Sequence, residues 1–328
     1  MTCYSNRNGT TIDRWQRHMS QTLEHNDVSA DTAAAAGASD AESEFYRGMT
    51  REEFLFQFTP QIHVPEHEVW KAQWTIASEL VRRQREGKLR IPYGDTTGQT
   101  LDIFPAKQPN SPINIFVHGG FWRFLDSFDH SVVAPVIQDS GGASILLNYD
   151  LCPTVPLTEV IRQVRAALKW VWENAEEANG DRDRIYISGH SAGGHLASMM
   201  CRDDYLDDLG LPADVVKGGT IVSGILDVEP ILMVPGAEEL LVEPDQVRDV
   251  SANHMPPAPH IPLVVAVGGR ETREWIRMTD DYVEVLKGQG SQVTYLKPEF
   301  DQHFSILFSM SNPVTELCSA MLKQMKLI

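Results

Sequence analysis

The sequence has few of the features that would place the chain in a membrane, on a nucleic acid or in an oxidising compartment. No apolar run approaches the roughly 18–20 residues needed to span a bilayer, and the N-terminus lacks the apolar core of a signal peptide. Basic residues number 28 against 45 acidic ones, and the net charge of −17 argues against nucleic acid or an anionic membrane as partner. The four cysteines, Cys3, Cys152, Cys201 and Cys318, are far apart and form no C-x-x-C pair. This usage is typical of a reduced setting, so a cytoplasmic protein is expected.

The length and apolar content predict one large α/β domain with an N-terminal appendage. The chain has 328 residues, 42% of them hydrophobic, which is enough for a sizeable core. Residues 1–40 are small and polar without an apolar period, so a disordered tail is predicted. Residues 41–88 are predicted to form an appendage or partial cap, with a helix over 66–86 whose apolar positions are Val69, Ile76 and Leu80. Residues 89–328 form the predicted α/β domain.

Strand and helix patterns alternate through that domain. The clearest helix runs from Leu157 to Trp172, with apolar residues three to four apart on one face. The predicted strands are Leu89–Tyr93, Thr100–Phe104, Ile113–Val117, Ala143–Tyr149, Arg184–Ser188, Gly219–Ile225, Leu263–Val267 and Gln292–Leu296. Such alternation favours a mostly parallel central sheet flanked by helices.

The sequence Gly189-His190-Ser191-Ala192-Gly193 lies between a predicted strand and a predicted helix. In that context G-x-S-x-G predicts a nucleophile elbow, a strained turn that presents a reactive serine at the edge of the sheet. An ordinary glycine-rich turn is the alternative. The pattern and its flanks predict Ser191 as the nucleophile of an α/β-hydrolase fold.

A serine hydroxyl needs a neighbouring base to take its proton. In this fold the chain order is serine, acid, histidine, and His303 follows the last predicted strand. Among its rivals, His254 and His260 lie in a proline-rich stretch before the penultimate strand, and His195 lies on the elbow helix. His303 is therefore the predicted base.

The third member must hold the imidazole and stabilise the imidazolium. Glu271 follows the predicted strand Leu263–Val267, where the fold usually places its acid. Glu274, one helical turn further on, and Asp227, after the preceding strand, remain alternatives.

A glycine turn after strand Ile113–Val117 is expected to supply the oxyanion donors. The backbone N–H groups of Gly119 and Gly120 would lie beside the serine, with that of Ala192 directly after it. His118 is expected to organise this turn rather than to react. No metal site is predicted, because Pro65 disfavours the helix that would align His63 and His67.

At these residues the chain resembles the arylformamidase (kynurenine formamidase) branch of the α/β-hydrolases. The resemblance runs from about Leu89 to the C-terminus. It rests on His118-Gly119-Gly120-Phe121-Trp122, Tyr149-Asp150-Leu151-Cys152-Pro153, the elbow, Val222-Ser223-Gly224, and the 32-residue spacing from Glu271 to His303. The sequence departs from the family pattern in carrying glutamate where aspartate is expected.

The resemblance implies hydrolysis of N-formyl-L-kynurenine to L-kynurenine and formate, without cofactor, by Ser191, Glu271 and His303. Phe121, Trp122 and Phe304 are candidate walls for a small aromatic acyl substrate. The alternative is a related carboxylesterase, arylamidase or carbamate hydrolase, and a further one is a hydrolase-fold protein that only binds its ligand. A homodimer is compatible with all of these.

Overall fold

The structure, a computed structural model, describes residues 44–328, so the predicted tail at residues 1–40 lies outside the described part. The chain divides into two compact units, residues 1–50 and 51–328. In the described part of the first unit, Tyr46 and Met49 form an isolated antiparallel bridge. The division into tail, appendage and catalytic domain stays a prediction.

The second unit is built on one eight-stranded sheet, and the predicted fold class is confirmed. The strands lie in the order β1-β2-β4-β3-β5-β6-β7-β8, and β2 alone runs antiparallel to both of its neighbours. Their bounds are β1 Lys88–Pro92, β2 Thr100–Phe104, β3 Ser111–Val117, β4 Ala143–Leu147, β5 Gly180–His190, β6 Val216–Val222, β7 Leu263–Ala266 and β8 Val293–Leu296.

The parallel strands end at one edge of the sheet. Val117 pairs with Gly189, His190 with Val222, and Val222 with Ala266. Loops that leave β3, β5, β6 and β7 therefore start side by side, which is where open α/β sheets place their ligand sites.

Burial explains why the central strands read as continuous apolar runs. Every residue of β3, β4 and β7 is buried, as expected of strands covered by helices on both faces. Strand β6 begins and ends three residues earlier than predicted. Ser223 follows its last residue with φ 47°, a left-handed conformation that ends the strand.

Helices cover the two faces of the sheet. Their bounds are α1 Arg51–Phe58, α2 Pro60–His63, α3 His67–Gln84, α4 Ala134–Asp139, α5 Leu157–Glu173, α6 Ala192–Met200, α7 Leu206–Leu209, α8 Arg273–Gly288, α9 Ile306–Ser311 and α10 Glu316–Gln324. Short 3-10 helices occupy Ser127–Val133, Ala175–Ala178, Pro230–Met233 and Ala237–Leu240. Helix α5 buries the apolar face predicted for it, including Val160, Val164 and Leu168.

Helix α3 forms where predicted, but the apolar positions behind that prediction do not face the core. They are exposed: Val69 by 57%, Ile76 by 60% and Leu80 by 49%. The buried residues are Trp74 and Ser78.

Polar contacts hold this helix against the 3-10 helix that follows β3. The Ser78 hydroxyl donates to the carbonyl of Asp129 at 2.9 Å and accepts from the amide of Val132 at 3.0 Å. Arg82 donates to the Ser131 hydroxyl at 3.1 Å. The apolar contacts of this face come from Trp74 and from the partly buried Trp70 and Val81, not from the three positions on which the prediction rested.

The end of the chain carries two helices, α9 and α10, which are separated by a segment that contains Asn312 and Pro313. The cysteines of the described part, Cys152, Cys201 and Cys318, are free and buried. Burial raises the pKa of the Cys152 and Cys201 thiols to about 12 and the pKa of Cys318 to about 11. Between residues 44 and 328, no helix is long and apolar enough to cross a bilayer.

Candidate active site

Ser191 lies on a strained turn between β5 and α6. Its backbone has φ 59° and ψ −124°, a region that residues with a side chain rarely adopt. A Cβ at Gly189 would lie 2.1 Å from the carbonyl oxygen of Gly193, and one at Gly193 would lie 2.0 Å from that of Val117. The two flanking glycines are therefore required because strand and helix pass too close for any side chain.

His303 lies in the loop before α9, with its ring against the serine. Its Nε2 lies 3.0 Å from the Ser191 Oγ. The backbone carbonyl of His303 accepts a hydrogen bond from the Nε2 of His190 at 2.8 Å. Burial, and then the neighbouring His303, hold the pKa of His190 well below its ordinary value. His190 is thus a neutral donor that fixes the backbone of the histidine loop.

Both oxygens of the Glu271 carboxylate are engaged in the turn after β7. Oε2 lies 2.8 Å from the Nδ1 of His303. Oε1 accepts from the Ser223 hydroxyl at 2.5 Å and from the amide of Gly268 at 2.8 Å. With 7% of the residue exposed, the carboxylate has these donors in place of water. This arrangement fixes the carboxylate against the imidazole.

The two alternative acids have other partners. Glu274 forms ion pairs with Arg277 at 2.8 Å and Arg273 at 3.4 Å on the first turn of α8. Asp227 accepts from the amide of Glu229 at 3.1 Å. The structure therefore brings Glu271 to the imidazole, and places Glu274 and Asp227 in contacts of their own.

The glycine turn after β3 lies beside the serine. A Cβ at Gly119 would lie 3.1 Å from the Cβ of Ser191, and Gly120 has φ 111°, which favours glycine. Within residues 44–328, the amides of Gly119 and Gly120 find no protein acceptor. Ala192 opens α6, where the first N–H groups of a helix lack an intrahelical partner. Backbone donors therefore surround the position next to the Ser191 side chain.

His118 and Tyr149 support this turn. The rings stack at 4.4 Å with an interplanar angle of 6°, and the Tyr149 hydroxyl donates to the His118 carbonyl at 2.9 Å. The Nδ1 of His118 lies 2.7 Å from the carbonyl oxygen of Gly119. Burial, and then His130, lower the pKa of His118 to about 3. A neutral His118 can therefore donate to that carbonyl and hold the turn.

The three predicted aromatic walls occupy different environments. Trp122 is fully buried, with its ring edge-on to His195 at 5.0 Å, so it has no surface to offer a substrate. Phe121 is half-buried in the glycine turn. Phe304 is 5% exposed, and its ring centroid lies 5.4 Å from that of His303.

No group of three or more histidine, cysteine or acidic side chains in the described residues could hold a metal. His63 and His67 point to different partners. The Nε2 of His63 lies 2.8 Å from the carbonyl of Arg270, and the Nδ1 of His67 lies 3.1 Å from that of Val64.

Several residues at the site escaped the sequence analysis. Ser223 contacts the carboxylate of Glu271, and the indole of Trp275 lies edge-on to the imidazole of His303 at 4.8 Å. Ser223 carries a local signal, since it follows β6 as Ser191 follows β5. The contact of His63 with Arg270 joins residues 207 positions apart, and no local sequence pattern predicts it.

Comparisons with known proteins agree with this architecture. A family described as BD-FAE matches residues 101–213. The kynurenine formamidase of Salmo salar is 27% identical over 294 residues, covering 85% of this chain and 98% of that protein. The kynurenine formamidase of Danio rerio is 26% identical over 276 residues, covering 80% and 92%.

Esterases are also similar. The carboxylesterase NlhH of Mycobacterium tuberculosis is 33% identical over 133 residues, 38% of this chain and 40% of that protein. Among solved structures, a putative thioesterase from Silicibacter sp. TM1040 has a TM-score of 0.70 at 24% identity, covering 80% of this chain and 96% of that one. The carboxylesterase EstE1 from a metagenomic library has a TM-score of 0.61 at 22% identity, covering 81% and 95%.

The sheet order, the strained elbow and these structural neighbours define the fold as that of the α/β-hydrolases. The chain is a hydrolase enzyme, as its similarity to proteins named kynurenine formamidase and carboxylesterase indicates. Its similarity to the kynurenine formamidases extends over most of its length. Within its class, the chain is an arylformamidase-like α/β-hydrolase.

Proposed function

We propose that the chain is a serine hydrolase of aryl formamides, with N-formyl-L-kynurenine as substrate and L-kynurenine and formate as products. One observation carries the proposal. The Ser191 Oγ, the His303 ring and the Glu271 carboxylate form a continuous chain with separations of 3.0 and 2.8 Å. Such a chain is the arrangement that activates a serine for acyl transfer.

In the proposed mechanism Ser191 attacks the formyl carbon while His303 takes its proton at Nε2. Glu271 accepts from the Nδ1–H and stabilises the imidazolium. The amides of Gly119, Gly120 and Ala192 donate to the oxyanion of the tetrahedral intermediate. Each such donor is worth on the order of 2.7–4 kcal/mol in the transition state.

The intermediate collapses as His303 gives its proton to the departing arylamine nitrogen and the C–N bond breaks. A water molecule, deprotonated by the same imidazole, then attacks the formyl ester on Ser191. The second tetrahedral intermediate releases formate and returns the proton to the serine. No step needs a cofactor.

The substrate assignment is supported by the near full-length similarity to the two kynurenine formamidases. Phe121 and Phe304 are the proposed aromatic contacts, because Phe121 is partly exposed beside the donors and Phe304 contacts His303. Trp122 is proposed to support the glycine turn from beneath.

A second candidate is a carboxylesterase, arylamidase or carbamate hydrolase acting on another small aromatic acyl compound. The 33% identity with the carboxylesterase NlhH over 133 residues favours it. A ligand-binding protein without activity is the weaker alternative, since both serine and base are in place.

The test is kcat/KM of the purified protein on N-formyl-L-kynurenine and on p-nitrophenyl acetate, with Ser191→Ala as control. We expect the formamide to react far faster than the ester, and the variant to lose activity by on the order of 10⁴ or more. Turnover of the ester alone would overturn the formamide assignment and favour the second candidate. Unchanged activity in the variant would overturn the mechanism.

We further propose a cytoplasmic setting, supported by three buried free thiols. The homodimer stays a prediction, which a measurement of the molecular mass in solution would test.

A further inference from the structure

We propose that helices α1 and α2 belong to the catalytic apparatus, and that Gln57 and His63 are positioning residues for Glu271. The inference rests on the proposed function, since it assigns Glu271 as the triad acid. It gives a role to the segment before the sheet that its position in the sequence does not suggest.

Three hydrogen bonds join the two helices to the turn that carries Glu271. The Nε2 of His63 donates to the carbonyl of Arg270 at 2.8 Å. The backbone carbonyl of Gln57 accepts from the Thr272 hydroxyl at 2.7 Å, and its side-chain Oε1 accepts from the amide of Glu274 at 3.1 Å. These bonds reach Arg270, Thr272 and Glu274, so they hold the backbone on both sides of Glu271.

The opposite side of the turn is tied to the loop that carries His303. The amide of Arg270 donates to the carbonyl of Asp301 at 2.9 Å, and that of Gly269 donates to Pro298 at 2.8 Å. The turn is therefore clamped between the histidine loop on one side and α1 and α2 on the other. Loss of the second side would leave the acid free to move relative to the imidazole.

Buried aromatic side chains fix α1 in place, so that α1 and α2 can hold the turn. Phe54 and Phe58 of α1 are 0% and 1% exposed, and their rings pack at 4.7 Å. His63 in turn packs edge-on against Phe56 at 5.1 Å. The hydrogen-bonding groups therefore project from a fixed support.

The same helices limit the access of water to the acid–base pair, of which Glu271 is 7% and His303 5% exposed. The space between them and the turn is a cavity of about 10 Å³, lined by Gln57, Pro60, His63, Glu271, Thr272, Trp275 and His303. This is room for a single water molecule at most. Exclusion of water strengthens the attraction between carboxylate and imidazolium.

Glutamate makes this support more important than it would be for aspartate. Its side chain has one more rotatable bond, so the position of the carboxylate depends more strongly on where the turn holds its backbone. A displacement on the order of 1 Å at a catalytic group can cost about 10²-fold in rate.

The experiment compares His63→Leu, which removes the donor at similar volume, with His63→Gln, whose amide retains an N–H donor. Gln57→Leu removes the acceptor for Glu274. Glu52→Gln, on the exposed side of α1, is the matched control. Each full-length protein is tested for kcat and KM on p-nitrophenyl acetate, the rate of Ser191 labelling by a fluorophosphonate probe, and Tm.

We expect His63→Leu and Gln57→Leu to lower kcat and the labelling rate by roughly ten- to hundred-fold, with KM changed less than about two-fold. His63→Gln should restore most of the rate, and Glu52→Gln should match the wild type. Wild-type rates in His63→Leu would overturn the inference, as would equal losses in His63→Leu and His63→Gln. A wild-type protein that the probe does not label at Ser191 would overturn the proposed function itself, and the inference with it.

Discussion

Ser191 and its proposed acid, Glu271, are held in place in two different ways. The elbow around Ser191 is fixed by close backbone contacts, because Gly189 allows β5 to touch α6 and Gly193 allows α6 to touch the end of β3. The turn around Glu271 is fixed by hydrogen bonds with side chains from distant parts of the sequence, namely Ser223, Gln57 and His63. One half of the site is held by close backbone contact, and the other half is held by hydrogen bonds with distant side chains.

This difference determines how each half should respond to substitution. A close backbone contact cannot be relieved by a change of rotamer, so a side chain added at the elbow displaces a strand or a helix. A hydrogen-bonded support fails in steps, because each donor that is removed leaves the others in place. We therefore expect abrupt losses at the elbow and graded losses at the acid turn.

The largest effect is expected for Gly193→Ala. The new methyl group would lie 2.0 Å from the carbonyl oxygen of Val117 and 2.5 Å from that of His118. We expect a loss of about 3 kcal/mol or more in the free energy of unfolding, and no measurable activity. Denaturant unfolding and esterase assays measure both.

Gly288→Ala is the matched control, since nothing lies within 4 Å of its added methyl group. It should unfold and react like the wild type. An active Gly193→Ala protein of ordinary stability would show that the elbow is not held by close backbone contact.

The next effect is expected for Glu271→Gln, which keeps the shape of the side chain and removes its charge. The neutral amide stabilises neither the required tautomer nor the imidazolium, so kcat should fall by on the order of 10³ to 10⁴. Steady-state kinetics on the best substrate measures the loss.

Glu274→Gln separates the two candidate acids. Its carboxylate pairs with Arg277, so we expect a small change in Tm and activity within a few-fold of the wild type. If Glu274→Gln proved the more damaging of the two, the acid would be Glu274.

The same contrast explains which parts of the site the sequence could predict. Ser191 and the glycines beside it form one continuous motif, and the eight strands follow from local apolar runs. For the acid, the sequence left three choices, because the contacts that favour Glu271 as the proposed acid involve a hydroxyl 48 residues away. In helix α3 the apolar spacing predicted the wrong buried face, since Trp74 and Ser78 face the core while Ile76 faces solvent.

A smaller, graded loss is expected for Ser223→Ala. Glu271 would lose one of two donors to Oε1 and keep the amide of Gly268. Removal of one hydrogen bond to a charged group is worth about 1.5–3 kcal/mol, so kcat should fall by roughly ten- to hundred-fold. The pre-steady-state rate of acylation measures it.

Ser188→Ala makes the same chemical change at a buried hydroxyl in β5 that has no partner within residues 44–328. It should leave the rate unchanged. Equal rates in both serine variants would show that the Ser223 hydroxyl does not support the acid.

The smallest effect is expected on the exposed face of α3. Ile76→Ser changes a side chain of a residue that is 60% exposed, so the free energy of unfolding should stay within about 0.5 kcal/mol. Trp74→Ala, two residues away at a buried position, should cost about 3–5 kcal/mol. Comparable losses for the two would mean that the exposed face is covered in solution.

The rates at which the buried thiols react can report on local opening of the fold. Burial raises the pKa of these thiols far above neutral pH, so the reactive thiolate is rare and alkylating reagents should react slowly with the folded protein. Cys201 ends the elbow helix, Cys318 lies in α10, and the amide of Cys152 donates to the carbonyl of Trp122 in the glycine turn. The order in which the three are alkylated, with Cys3 replaced by serine, would reveal which part of the fold opens first.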